Sequence, residues 1–203
     1  MTRALTSGVP AVHLGHTTRA GARARRTPEE TPVTSLDLLR LLFRHMEWAD
    51  AAVWRAVLDT PSAAGDADLR ERLLHLHGNQ QAFLASWLHR PLDREAAQGM
   101  DLPALARWTR AFHGEAAAYV GALREEDLDG ANPVPWSDRV SKAWGRDVAV
   151  TSLRETLLQA AAHAHYHRGQ VNTRLRQLGG TPARVDFLAW AWMAKPEVEW
   201  PVA

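Results

Sequence analysis

The sequence predicts an all-α protein: a four-helix bundle with one long connection between its third and fourth helices, preceded by a disordered N-terminal extension. Three observations lead there. Four long segments repeat apolar residues at the 3.6-residue helical period. Capping residues open these segments, and Gly or Pro closes two of them. There is no internal repeat, no glycine-rich phosphate loop and no GxSxG elbow to suggest another architecture. Long amphipathic helices bury their stripes against one another, so residues 34–203 read as one bundle domain.

Residues 1–33 carry Arg3, Arg19, Arg23, Arg25 and Arg26 among Gly, Thr and Pro, with no sustained stripe. "SGVPAVHLGH" is too short and broken for the apolar centre of a signal peptide. The segment reads as a disordered extension, or as a start codon placed too early. A first helix is expected over about 35–59, with a Ser/Thr cap and a stripe of Leu38, Leu39, Leu42, Phe43, Met46, Ala49, Val53 and Val57. "TPSAAGDAD" is a turn in which Asp66 or Asp68 caps a second helix, over about 67–89, that Pro91 ends. The third helix, over about 102–125, has Leu105, Trp108, Phe112, Ala116, Tyr119 and Leu123 as its stripe. "LDGANPVPWSDRVSKAWGRDVAV" is too irregular for a helix and reads as a long loop or short hairpin. The fourth helix, over about 151–178, opens on Ser152 with Glu155 completing a capping box and stops at Gly179-Gly180. The tail is expected to pack across the bundle, because Trp190, Trp192 and Trp200 are costly to leave in water.

A net charge of +1 over 203 residues supplies no bulk field toward nucleic acid or membrane, so neither is an expected partner. No stretch approaches the ~20 apolar residues of a membrane span. The absence of cysteine excludes disulfides, thiolate-held zinc and a cysteine nucleophile. The expected compartment is the cytoplasm. The many Trp suggest more apolar surface than one bundle covers, and a homodimer is expected.

Ten histidines are the unusual feature. "HAHYHRGQ" places three of them at alternate positions on the fourth helix. Each helical residue turns ~100°, so His163 and His167 share a face while His165 points away. An HxxxH pair can grip one metal ion, as in zinc helices, but no Glu sits between them as a protease base. A third ligand would come from a neighbouring helix, and His75 and His77 on the second helix are the candidates. An HxxxH pair on an alanine-rich helix is also often incidental, and spacing leaves both readings open.

"HAHYHRGQVNTRLRQLGGTPARVDFLAWAW" resembles the signature of the DinB/YfiT-like metalloenzyme family: a histidine, three residues, His-Arg-Gly-Gln, a Leu-Arg-x-Leu-Gly turn and an Asp-Phe/Leu-x-x-Trp segment. "LLHLHGNQQAFLASW" is similar to its second helix, where a histidine precedes an aromatic residue by eight positions. His75 and Phe83 satisfy that spacing, whereas His77 would pair with Ala85. "FRHMEWADAAVW" resembles the first helix, with Asp50 where the family often has Asn. The resemblance spans about residues 35–200. It implies a four-helix bundle and a metal held by His75, His163 and His167.

Around these residues, Gln170 lies seven residues from His163 and is expected to line the site. Arg168 reads as an ion-pair or capping residue, Gly169 as a point of close helix approach, and Tyr166 as packed. His45, His89 and His113 read as surface or satisfied core residues. Three imidazoles leave a divalent metal with open positions, which suits catalysis more than scaffolding. Zinc is the first expectation, with nickel or iron also compatible. The resemblance implies a small-molecule substrate and favours transfer of a low-molecular-weight thiol, such as mycothiol or bacillithiol, to an electrophile. The alternatives are metal-hydroxide hydrolysis of a small substrate and a non-catalytic metal-binding stress-response protein. Asp50 and Glu47 are the candidate bases, and Arg139, Lys142 and Arg146 in the long connection the candidate anchors for a thiol's carboxylate.

Overall fold

The computed structural model describes residues 33–93 and 95–202. The extension expected at 1–33 lies outside them, apart from Val33, which is exposed ahead of the first helix. The described residues form six α-helices and two short 3-10 turns, with no β-strand among them.

Helix α1 (Ser35–Leu58) opens on a Thr34–Asp37 capping box. Its inward face carries Leu39, Phe43, Met46, Val53, Trp54 and Val57. Helix α2 (Ala67–Trp87) is capped by Asp66, whose side chain accepts from Leu69 N at 2.7 Å. It stops two residues before the expected end because His89 takes a left-handed φ of 50° ahead of Pro91. Helix α3 (Leu102–Ala122) starts on an Asp101 cap with Pro103 in its first turn, where a missing N–H costs nothing. Helix α5 (Leu153–Gln177) opens on the expected Ser152–Glu155 box. It ends where Gly179 takes φ 80°, and Gly180 runs so close to the Thr60 side chain that a Cβ would collide with it.

These four helices form the bundle. Around it the order is α1, α3, α2, α5, each packed on its two neighbours. Leu73, Leu76, Leu84, Leu105, Phe112 and Leu157 meet at its centre. No helix among the described residues is long and apolar enough to cross a membrane.

The connection between α3 and α5 differs from the expected loop or hairpin. It contains a 3-10 turn, Glu125–Asp129, and an eight-residue helix, α4 (Ser137–Trp144), closed by Gly145 at φ 65°. The two ends of the segment 132–151 are tied at its base. Asn132 N donates to Thr151 O at 2.7 Å, Thr151 Oγ1 donates to Asn132 O at 2.8 Å, and Leu153 N donates to Gly130 O at 2.8 Å.

The tail forms a short helix, α6 (Phe187–Trp192), capped by Asp186. Trp190 is buried against Trp48 and Ala49 of α1, and Trp200 packs against the main core with Nε1 donating to Glu47. Trp192 departs from expectation and is 78% exposed. It lies two residues from Trp190, about 200° around the helix, so the two rings cannot both face inward.

Candidate metal centre

The rotation argued from the sequence operates as geometry requires. His163 and His167 sit one turn apart on α5, and α2 runs alongside and presents His75 to both. The ring centroids are 4.2 Å apart for His163 and His167, 4.3 Å for His75 and His167, and 5.6 Å for His75 and His163. Each ring offers one nitrogen, and the three lie within 4.8 Å of one another, so the cluster could hold a metal ion. No carboxylate belongs to the group among the described residues.

The chemistry of these donors fits a cation. Burial, then the neighbouring His167 and His75, pushes His163 down to about 4. Burial and His167 also lower His75, against an opposing pull from Glu71. Both rings are therefore neutral at pH 7, the form that ligates a metal. His163 Nε2 is buried with no hydrogen-bond partner, and a buried polar atom left bare is costly unless something binds it. Gln170 Oε1 accepts from His167 Nδ1 at 2.8 Å, which places that ring's proton on Nδ1 and leaves Nε2 bare. Gln170 thus acts on the cluster through His167. On α2, Asn79 Nδ2 donates to His75 O at 2.8 Å and lies 3.3 Å from His75 Nε2.

His77 and His165 stay out of the group. His165 is exposed on the far side of α5. His77 turns into the bundle, donates from Nδ1 to Gln80 Oε1 at 2.8 Å and stacks on Trp54 with ring centroids 5.4 Å apart. His45 and His113 are satisfied core residues, the former bonded to Val185 O and the latter to Asp50; His89 is exposed.

Asp50, a candidate base from the sequence, is committed elsewhere. It is fully buried on α1. Its Oδ1 accepts from Arg168 Nη1 of α5 at 2.8 Å, and its Oδ2 accepts from Gln80 Nε2 of α2 at 2.7 Å and His113 Nε2 of α3 at 2.9 Å. One carboxylate therefore ties together all four helices of the bundle. Burial alone would raise its pKa, but the Arg168 charge and the His113 hydrogen bond and charge outweigh that and hold it well below the carboxylate range. Glu47, the other candidate, accepts from Trp200 Nε1 at 3.2 Å and is also outside the cluster. Arg168 is the ion-pair residue its position suggested. Arg168 directly follows His167, so this ion pair fixes α5 beside one of the clustered rings.

A model of the DinB family matches residues 34–200. The chain belongs to the DinB family. No curated protein and no solved structure matches it.

Two hollows lie along the helices that carry the cluster of this DinB protein. The larger, of about 790 Å³, reaches His163 and is walled by Asn79 and Phe83 of α2, by α5 and by the α3–α5 connection. The smaller, of about 320 Å³, is lined by Arg72, Tyr166, Gly169, Gln170, Thr173 and Arg174 and by none of the three histidines. Three expectations fail here. Arg139, Lys142 and Arg146 do not line the large cavity, and Arg146 instead lies over the Trp144 ring at 5.9 Å. The connection turns its apolar side inward, and long basic side chains keep their charged ends in water. Tyr166 is 64% exposed at the cleft, with its ring edge-on to His167 at 4.9 Å, rather than packed. Gly169 makes no close approach to another helix, because a Cβ there would meet nothing within 4 Å. It keeps the floor of the smaller cleft open.

Proposed function

We propose that this protein is a metal-dependent transferase that joins a low-molecular-weight thiol to an electrophile, with His75, His163 and His167 as the metal ligands. The observation that carries this reading is a cluster of three nitrogens, free of carboxylates, with a large cavity that His163 lines. Zinc suits it, and nickel or iron would also accept three imidazoles. A divalent ion bound there supplies the Lewis acidity that ionises a thiol near neutral pH, so no protein base is needed.

The chain's own residues then divide the remaining work. Gln170 fixes the His167 ring. Arg72 and Arg174 border the smaller cleft, where they replace the basic residues of the connection as anchors for a thiol's carboxylate. Arg72 spends Nε and Nη2 on Asp68, and Arg174 spends Nε and Nη2 on Asp66 and Nη1 on Gln177, so both guanidinium groups are held in place and Arg72 Nη1 faces away from its partner. The electrophile occupies the larger cavity beside His163. Sulfur bonds to its carbon, the leaving group departs with the bonding electron pair, and the thiol proton passes to solvent. Hydrolysis is the second reading, since the same Lewis acidity would ionise water, but among the described residues no carboxylate belongs to the cluster to orient that water. The cytoplasm, which keeps thiols reduced, suits this chemistry.

The test is metal analysis of protein prepared without a histidine tag. Wild type and His165→Ala should retain one zinc per chain, and His75→Ala, His163→Ala and His167→Ala should each lose most of it. Zinc-loaded wild type should then show a thermal shift with cysteine-containing thiols and none with their S-methyl ethers. Equal metal content across the panel refutes the ligand assignment. Equal shifts with thiol and thioether refute the thiol.

A further inference from the structure

The large cavity beside His163 has a composition that discriminates among electrophiles. Its walls are mainly apolar and aromatic. Phe83 and Trp136 meet edge-to-face at 5.2 Å, and Trp144, Val148 and Val150 come from the connection. Trp144 and Val150 are 65% and 68% exposed, large apolar surfaces facing a hollow rather than the core. A ligand with an apolar body would cover them.

The charges are all of one sign. Asp138, Asp147 and Glu155 line the cavity, and no Lys or Arg does. Glu155 is spent on the Ser152 cap. Asp138 and Asp147 are exposed on the cavity wall, so both are open to a partner there. The Trp144 ring already draws one cation, the Arg146 guanidinium. Aromatic faces beside exposed carboxylates favour an organic cation through ring and charge together.

We infer that this cavity recognises a hydrophobic organic cation, so that the electrophile it takes carries, apart from its reacting carbon and leaving group, an ammonium group on an aromatic or branched body, and that the cavity rejects carboxylates. This rests on the proposed transferase reading for the word electrophile. The binding preference itself does not depend on the metal, and the test exploits that.

The experiment titrates metal-free protein with 4-phenylbutylammonium, 4-phenylbutanol and 4-phenylbutyrate, following the indole N–H signals of Trp136 and Trp144 by NMR. The amine should bind about tenfold or more tighter than the alcohol, the worth of one modest charge contact. The carboxylate should bind weakest. Asp138→Asn combined with Asp147→Asn should bring amine and alcohol to the same affinity while leaving the alcohol's own affinity unchanged. Alcohol or carboxylate binding as tightly as the amine overturns the inference, as does titration without movement of the two indole signals. A protein that takes up zinc but shows no amine preference sinks this inference alone. One that prefers the amine but takes up no zinc sinks the metal reading alone.

Discussion

Replacing Asp50 with Asn tests what holds the ligand helices in place. The change alters shape little and removes a charge. In the structure three donors converge on two carboxylate oxygens: Arg168 Nη1, Gln80 Nε2 and His113 Nε2. Asn offers one oxygen and brings an NH₂ of its own, so at least one donor must face another donor. Arg168 is 1% exposed and would remain charged with no counter-charge. Breaking one side of a buried ion pair costs roughly 3–5 kcal/mol. That is a large share of the ~5–15 kcal/mol that holds a domain together. At about 2–4 °C per kcal/mol for a chain of this size, the melting temperature should fall by roughly 6–20 °C. The assay is urea and thermal unfolding of metal-free protein for Asp50→Asn, Arg168→Met and the double variant. Because the two groups interact directly, the double variant should lose less than the sum of the singles by about 1–3 kcal/mol. A loss below about 1 kcal/mol for Asp50→Asn, or strict additivity, would refute the argument that this carboxylate carries the junction.

Three further outcomes are expected. His45, lowered to about 4 by burial and the Arg168 charge, and His77, lowered to about 4 by burial, stay neutral in the folded protein while the unfolded chain takes up protons near 6.5. Their contribution to stability is therefore complete above about pH 6.5 and is lost as the pH falls toward 4, which urea midpoints across that window would register; a flat profile would contradict it. Gly169→Ala, in an exposed helical position with open space for a methyl, should raise stability by about 0.5–1 kcal/mol while narrowing the smaller cleft and weakening thiol binding. Light scattering should return twice the 22.5 kDa chain mass, since Leu188, Trp192 and Met193 leave an apolar face of the tail helix open; a monomer at micromolar concentration would refute the dimer.

The bundle was legible because each long helix must bury a stripe, and a stripe has a period. Helix α4 was not, because only Val140 and Trp144 among its eight residues are large and apolar, and none of the eight is buried. The HxxxH geometry could be read from rotation alone, but the choice of His75 over His77 needed the family pattern. The Asp50 junction left no spacing signal, since its partners lie 30, 63 and 118 residues away. Its one trace was an acid set among Ala49, Ala51, Ala52, Val53 and Trp54, a stretch too apolar for a solvated carboxylate. The charge of the large cavity was illegible for a related reason: without a period, nothing in residues 132–151 says which side chains turn inward.

The hydrogen bonds between Asn132 and Thr151 make the segment between them a closed excursion that leaves and rejoins the bundle at one point. Its length does not set the distance between α3 and α5, and none of the three clustered histidines lies within it. Changing the exposed part of this segment can alter which molecules reach His163 at little cost to the bundle, because loop closure grows only slowly with length, whereas Val134 and Trp136 pack on the core and are tied to it. Selection on what reaches the three histidines can therefore act on the exposed part of this segment while selection on folding acts elsewhere.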